Sequence, residues 1–411
     1  MVSDFGRSGE ILVSDPFCSI RQNLTKGTRT IVAIIHLFVR MDRHIHIIYL
    51  KTSNTTVSAN QTDLLFMIRA LHQLGQNIHF HCFYPHSVQI NLIEEHCEEI
   101  IGYCQDSQDA SSIFFSKQKL EDSERKRLLE NLKNNDHPII CHGFQASKLV
   151  FDDPTLMTRK VVFRFLRNEP NYLQNLAKVT PWGFRKFYYI LAAFRAEKTF
   201  QKLLSHKAIA SSLENQTNSD NIIKVAEFKG QSETFFKEGF GSFCLYYGDL
   251  SKRENEFAAQ WLLEHVFNEL ELPFVIAGKN PSDELEQAAH VRMHTCLVSN
   301  PGEMELKELI KKAQIVLMPS FIDQQNYLDI LESLQLGRHV LVNTKAVVGN
   351  PFQSLLDVAE SPDEFKLKAE QLFKQEFVEE LKHVRLKEIE KIDSDESNAN
   401  KLISLLHRQY P

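Results

Sequence analysis

The chain predicts an α/β protein built as two doubly wound parallel-sheet domains facing across a cleft. Three observations carry this. Short runs rich in Ile, Val and Phe alternate with amphipathic stretches from residue 44 to residue 374, the pattern of repeated βαβ units. That pattern is interrupted once, by a turn-rich stretch at 229–242, and then restarts. The length of 411 residues suits two or three domains, and 43% apolar with 24% charged residues is ordinary for a globular chain with large cores.

The first forty residues differ from the rest. Their one apolar run, Ile31 to Val39, is followed by Arg40 rather than by the small residues that end a signal peptide. Met41 then directly precedes a clean strand. Residues 1–40 are expected to be either an upstream extension or an extra element packed on the first domain.

From there the elements follow in order. A strand at 44–50 leads to a helix from Asp63 to Leu74, with Thr62 or Asp63 as N-cap and Gly75 at C′. Next come a strand at 78–83, a helix near 88–97, apolar stretches at 100–104 and 112–115, and a charged helix at about 120–134. Strands at 138–142 and 161–165 continue the first sheet. After the break, strands fall at 243–247, 274–277, 295–298, 315–318 and 339–343. Helices fall at 254–269, 281–289, 303–313, 326–336 and 363–374. The end of the chain reads as a charged helix, an acidic loop at 393–397 and a short final helix. The expected divisions are therefore 41–235, 236–375, and a terminal segment 376–411.

Composition excludes several classes. A formal charge of −6 gives no whole-chain support for nucleic-acid binding. No apolar run approaches the roughly 18 residues of a membrane span. The seven cysteines are scattered and never spaced C-x-x-C, which argues against a disulfide framework and a zinc ribbon. No P-loop, zincin, nucleophile-elbow or dinucleotide glycine motif is present. His44-x-His46 and His79-x-His81 fall on neighbouring strands with both members of each pair on one face. They sit at the strand beginnings, so a structural role is expected and no metal site is assigned.

Residues 159–207 hold eleven Lys or Arg against two Glu, a local charge of +9. Within them Trp182 to Arg195 is both aromatic and basic. Such a helix can dock on an anionic membrane surface or serve as a core helix with a basic edge; both readings stay open.

Ligands of doubly wound sheets bind on the loops leaving the strands. In the second domain those loops begin at Gly248, Gly278, Ser299 and Pro319, and the helix after the last carries Glu332. The pieces Tyr247-Gly248, Phe274-Val-Ile-Ala-Gly278-Lys279, Ala313-Gln-Ile-Val-Leu-Met-Pro319-Ser320 and Leu331-Glu332-Ser-Leu-Gln-Leu-Gly337 resemble the donor half of the GT-B glycosyltransferases. Those enzymes have two Rossmann-like domains. The similarity is to the large retaining group that includes sucrose and glycogen synthases and many bacterial mannosyl- and glucosyltransferases. It runs from Leu245 to Phe373.

The resemblance implies transfer of a hexosyl group, with retention, from a nucleotide-diphosphate sugar to a surface-glycan or lipid-linked glycan. It implies no cofactor and no obligatory metal. It places the protein in the cytoplasm or on the inner face of a bacterial cell membrane, in polysaccharide biosynthesis. The terminal segment would return to the amino-terminal domain. Donor-binding residues would be Gly248, Lys252, Arg253, Gly278, Lys279, Ser320 and Glu332, with Glu332 on the ribose. His142, after the strand at 138–141, would stand near the transferred sugar, and Glu169 and Tyr172 on the acceptor side.

Several family positions differ. The first of two spaced glutamates falls on Asp323 or Gln324, and the usual Arg and Lys fall near the acidic Asp249 and Glu254. Lys51 to Asn60 replaces a glycine-rich loop, and Leu166-Arg-Asn-Glu169-Pro-Asn-Tyr172 keeps a glutamate without its flanking histidines. These changes support an alternative: a non-catalytic relative that binds a glycan, a nucleotide or a protein.

Overall fold

The structure is a computed structural model. It describes residues 43–50, 59–84, 92–104, 122–205, 208–211, 222–230, 234–235, 237–322, 327–347, 350–391 and 394–407. Residues 1–40, the apolar stretch at 112–115 and the loop at 51–58 lie outside them. Residues 44–411 form one compact unit.

Two parallel sheets organise that unit. The first holds β1 (His44–Tyr49), β2 (Asn77–Tyr84), β3 (Glu99–Cys104), β4 (Ile139–His142), β5 (Val161–Phe165), β6 (Ile209–Ser211) and β7 (Ile222–Lys224). Their spatial order is β3-β2-β1-β4-β5-β6-β7. The second holds β8 (Cys244–Asp249), β9 (Phe274–Lys279), β10 (Thr295–Ser299), β11 (Ile315–Met318), β12 (His339–Val342) and β13 (Asp357–Val358), in the order β10-β9-β8-β11-β12-β13. This is the two-domain, doubly wound fold that the alternation predicts. In each sheet the winding reverses once, between β1 and β4 and between β8 and β11. Such switch points open a crevice at the carboxyl ends of the strands.

Helices cover both faces of each sheet. In the first domain they are α1 (Ala59–Gln73), α2 (Asp122–Lys133), α3 (Phe144–Phe151), α4 (Glu169–Val179) and α5 (Phe184–Leu204). In the second they are α6 (Arg253–Trp261), α7 (Asp283–His290), α8 (Glu303–Lys312), α9 (Tyr327–Leu336) and α10 (Pro362–Phe373). Their ends follow local chemistry. Asn168, Ser282 and Ser361 cap α4, α7 and α10 through side-chain oxygens. Gly75 closes α1 at φ +78°, which only glycine adopts without strain. Strand residues alternate between cores: Ile45, Ile47 and Tyr49 pack with α1, whereas Ile48 packs with Cys141 and Phe163 on the other face.

Four expectations need correction. Helix α1 starts at Ala59, so neither Thr62 nor Asp63 is its N-cap; Asp63 is instead fully buried inside the helix. The helix near 88–97 is, among the described residues, a single 3-10 turn at Glu94–His96. The stretch at 393–397 is no loop throughout, because Asp395 opens α12 (Asp395–His407). Finally, β6 and β7 were not anticipated; each is three residues long, too short for a period-2 signal.

The terminal segment divides its loyalties. Helix α11 (Glu379–Glu390) stays on the second domain, where the buried Arg385 donates to the carbonyls of Leu334 and Gly337, each at 2.9 Å, and of Arg338. Only α12 packs on the first. Its Ala399, Leu402, Leu405 and Leu406 are buried against Leu64, Met67, Ile68 and Leu71 of α1, worth about 2 kcal/mol for each leucine. No helix among the described residues is long and apolar enough to cross a membrane.

Candidate functional site

The second-sheet crevice forms where β8 and β9 end together. Gly248 pairs with Gly278, and Asp249 with Lys279. A Cβ on Gly278 would lie 2.1 Å from the Gly248 carbonyl oxygen, so no side chain fits there. The backbone after Gly248 is held by Asn255, whose side-chain amide donates to the Asp249 carbonyl at 3.1 Å, and by Ser251, whose hydroxyl donates to Asp249 Oδ1 at 2.6 Å.

Lys252 is the N-cap of α6, so a cation stands at a helix amino terminus. Lys252 and Lys279 are half-buried residues whose ammonium groups make no hydrogen bond among the described residues. Lys252 acts electrostatically on Asp329, lowering the pKa that burial raises. Glu332 lies one turn along α9 from Asp329. Its Oε2 accepts a long hydrogen bond of 3.4 Å from the Tyr247 hydroxyl, whose shorter contact is to the Asp329 carbonyl at 2.8 Å. Burial, with the Asp329 charge adding to it, pushes the Glu332 carboxyl up to about 7.

The structure thus brings Lys252, Asp329 and Glu332 into one electrostatic group, with Lys279 on the neighbouring strand end. The remaining donor candidates are engaged otherwise. Arg253 turns toward the first domain: its Nε donates to the Val179 carbonyl at 3.1 Å and its Nη1 to Glu256 at 2.8 Å. Ser320 is buried; its hydroxyl donates to the Ile322 carbonyl at 2.7 Å, and its backbone exchanges hydrogen bonds with Asn343. Asp323 and Gln324 lie outside the described residues.

In the first domain His142 ends β4 beside Tyr49 of β1, at the switch point. Its Nδ1 is 3.2 Å from Arg164 Nη1, so Nδ1 accepts and the neutral ring carries its proton on Nε2. Burial, then the Arg164 charge, holds its pKa well below the usual value. Nε2 has no hydrogen-bond partner and stands 3.7 Å from Asp63.

Arg164 and Asp63 are the residues sequence reading missed most clearly. Both are fully buried and pair through two contacts of 2.5 and 2.8 Å. Asp63 also accepts the Phe228 N–H at 2.7 Å. Glu227 is a third omission. It is buried in the connector after β7, and burial followed by the Asp63 charge raises its pKa well above the normal range. Asp329 of the second domain adds to that shift, so Glu227 lies within electrostatic reach of both crevices. A lone charge amid an apolar run is their one sequence signal: Arg164 in Val-Val-Phe-Arg-Phe, Glu227 in Val-Ala-Glu-Phe.

Glu169 and Tyr172 belong to a contact between the domains. Arg167 pairs with Glu169 at 2.8 Å and lies 3.7 Å from the centre of the Tyr172 ring. The Tyr172 hydroxyl donates to Glu254 of α6 at 3.0 Å. Around them Leu176, Val179 and Ile322 form a buried apolar cluster with Phe257 and Phe321. Glu254, an acid where the resemblance expects a phosphate-binding base, thus finds its partner in the other domain.

Residues 242–375 match the family model described as "Glycosyl transferases group 1". No curated protein sequence matches the chain. Among solved structures, the E. coli trehalose-6-phosphate protein bound with UDP-2-fluoro glucose is similar at a TM-score of 0.59 and 8% identity, over 89% of this chain and 99% of that one. A glycosyltransferase from Rickettsia africae ESF-5 is similar at 0.56 and 11%, over 89% and 98%. A UDP-glucosyltransferase from Polygonum tinctorium capable of glucosylating indoxyl is similar at 0.54 and 11%, over 90% and 99%. The described chain therefore has the GT-B fold, with a match to a glycosyltransferase domain in its carboxyl-terminal half.

Proposed function

We propose that the chain moves a sugar from a nucleotide-diphosphate donor, held by the second domain, to a surface-glycan or lipid-linked glycan acceptor held by the first, with retention of configuration. The observation that carries this reading is the end of the second sheet. Two lysine ammonium groups stand without hydrogen-bonded partners among the described residues, and a half-buried carboxyl lies on the adjoining helix, beside two glycines that let the strand ends and the Leu250 and Asn255 side chains pack closely. A diphosphate would pair with Lys252, Lys279 and the free N–H groups of α6. Glu332 would accept the ribose hydroxyls. The same cations would stabilise the leaving diphosphate as the glycosidic bond breaks. The group 1 match and the fold shared with proteins bound to a UDP-sugar support the donor class. The reading calls for no resident cofactor or metal.

Helix α5 supports the lipid-linked acceptor. Trp182 is 89% exposed, and Phe184, Phe187 and Phe194 are 85%, 61% and 65% exposed. Arg185 and Lys186 lie among them, and Arg195 and Lys198 follow. Aromatic rings at helical spacing amid cations suit an anionic membrane surface, which would hold the protein on the inner face of the cell membrane.

One observation favours the non-catalytic alternative: the first turn of α6 spends Arg253 and Glu254 on contacts with the first domain. A thermal-shift screen against UDP, GDP, ADP and their sugars tests the donor site, and release of free nucleotide from the stabilising sugar in the presence of an acceptor then separates transfer from binding without turnover. A ligand at 100 times its Kd adds about 2.7 kcal/mol to stability. A shift with one nucleotide, lost in Glu332→Ala, supports the donor site; no shift with any of them refutes it and leaves the scaffold.

A further inference from the structure

Five histidines gather at the amino-terminal ends of β1, β2 and β4: His44, His46, His79, His81 and His137. They form two layers with different chemistry. In the buried layer His46 Nδ1 lies 2.8 Å from His81 Nε2, and His46 Nε2 lies 2.8 Å from Asn135 Oδ1. His81 Nδ1 lies 2.8 Å from the Tyr103 hydroxyl, which accepts from Asn131 at 3.1 Å. One proton assignment satisfies the whole row: Tyr103 donates to His81, His81 to His46, and His46 to Asn135. Burial holds His46 down to about 4 and His81 to about 3. Both rings are neutral at pH 7 and every ring nitrogen is in use.

The outer layer is arranged differently. One ring nitrogen from each of His44, His79 and His137 lies within 4.8 Å of the other two, and all three residues are half-buried. His44 Nδ1 and His79 Nε2 are 2.9 Å apart, and the His137 ring stacks on both at 4.9 and 5.6 Å between centroids. The far sides of two rings are already held. Glu99 Oε2 is 3.3 Å from His79 Nδ1, and the Asn77 side-chain amide is 3.1 Å from His44 Nε2. A carboxylate or amide behind an imidazole is how proteins orient and strengthen a metal-bound histidine.

We propose that His44, His79 and His137 bind a divalent transition-metal ion of the Zn2+ class, with water as the fourth ligand. Imidazole suits Zn2+, Cu2+ and Ni2+ better than it suits Mg2+ or Ca2+. Zn–N bonds of about 2.0–2.1 Å set tetrahedral nitrogens about 3.3 Å apart, so the close His44–His79 pair opens only slightly. Glu99 keeps the His79 proton on Nδ1 and leaves the Nε2 lone pair to the ion. His44 moves its proton from Nδ1 to Nε2, where Asn77 turns its amide oxygen to accept it. All three ligands bind as neutral imidazoles.

The ion would clamp the beginnings of β1 and β2 to the segment that leads into β4. His142 pairs with Tyr49, five residues along the strand from His44, or about 16 Å at the usual rise. The metal is therefore structural and separate from the sugar chemistry.

The test uses the full chain, stripped with chelator and titrated by calorimetry with Zn2+, then followed by visible absorption with Co2+. One equivalent of Zn2+, a raised melting temperature and the Co2+ bands of a four-coordinate nitrogen site are expected. His137→Gln should weaken Zn2+ at least tenfold, and Glu99→Gln about tenfold through the ring behind it. The exposed His383→Gln should leave affinity unchanged. Glu99 has a half-exposed side chain, so its variant tests the site even if a histidine variant misfolds. Absence of saturable binding, or affinity unchanged in both His137→Gln and Glu99→Gln, overturns the proposal.

Discussion

Replacing Glu332 by glutamine should change how stability and nucleotide-sugar affinity depend on pH. The carboxyl is raised from 4.5 to about 7, by burial and then by Asp329. An acid whose folded pKa is raised binds more protons folded than unfolded, so its contribution is full below pH 4.5 and is lost as pH rises through 7. At 1.36 kcal/mol per pH unit the span is about 3 kcal/mol as an upper bound. Glu332→Gln should thus match the parent near pH 4 and exceed it in stability at pH 8.

Affinity should move the opposite way. The ionised carboxylate is the better acceptor for ribose hydroxyls, so the competent fraction rises with pH. For a group titrating at 7, Kd should be about tenfold lower at pH 8 than at pH 6. Calorimetry with an intact nucleotide sugar is the assay, because its esterified phosphates do not titrate in that window. The glutamine variant should bind with one Kd at both pH values. A parent Kd independent of pH, or the same tenfold change in the variant, would refute Glu332 as the ribose acceptor.

Three further outcomes follow from the geometry. Tyr172→Phe strips the buried Glu254 of its 3.0 Å hydrogen bond and should cost about 1–3 kcal/mol in urea denaturation; a loss below 0.5 kcal/mol would mean the interdomain contact is open in solution. Asp63→Asn leaves Arg164 charged and fully buried, which should cost about 3–5 kcal/mol, whereas Asp63→Leu with Arg164→Met should recover much of it. Replacing Phe184 and Phe187 by serine should lower binding to phosphatidylglycerol vesicles in a sedimentation assay while leaving the melting temperature within about 2 °C, since both rings are exposed.

The parallel-sheet architecture was legible because strands such as β9 and β11 are apolar runs separated by amphipathic helical stretches. Gly75 also named its helix end. What stayed hidden was pairing over long distances in sequence. Asp63 reads as an N-cap because a short acid before an apolar helix face fits that rule; its true partner, Arg164, is 101 residues away. Glu254 reads as a departure from a donor site, and only the structure shows that it answers Tyr172 across the domains. Arg253 looks available on a loop, yet it is occupied by a backbone carbonyl that no local pattern specifies. The histidine alternation was visible at four positions, but His137 joins the outer layer only through the winding of the sheet.

The last helix makes the second domain an insertion. The chain leaves the first domain near Lys229 and Gly230, and Asp395 at the start of α12 accepts both of their N–H groups, at 3.0 and 2.7 Å. Outgoing and incoming segments also pair antiparallel at Gly239 and Phe377. Exit and re-entry are therefore fastened to each other twice, like both leads of a cassette bound side by side. A rotation of the second domain would turn about these fastenings instead of stretching a linker. An amino-terminal fragment cut before residue 394 would leave Leu64, Met67 and Leu71 uncovered, whereas a short loop joining residue 230 to residue 394 would preserve their cover.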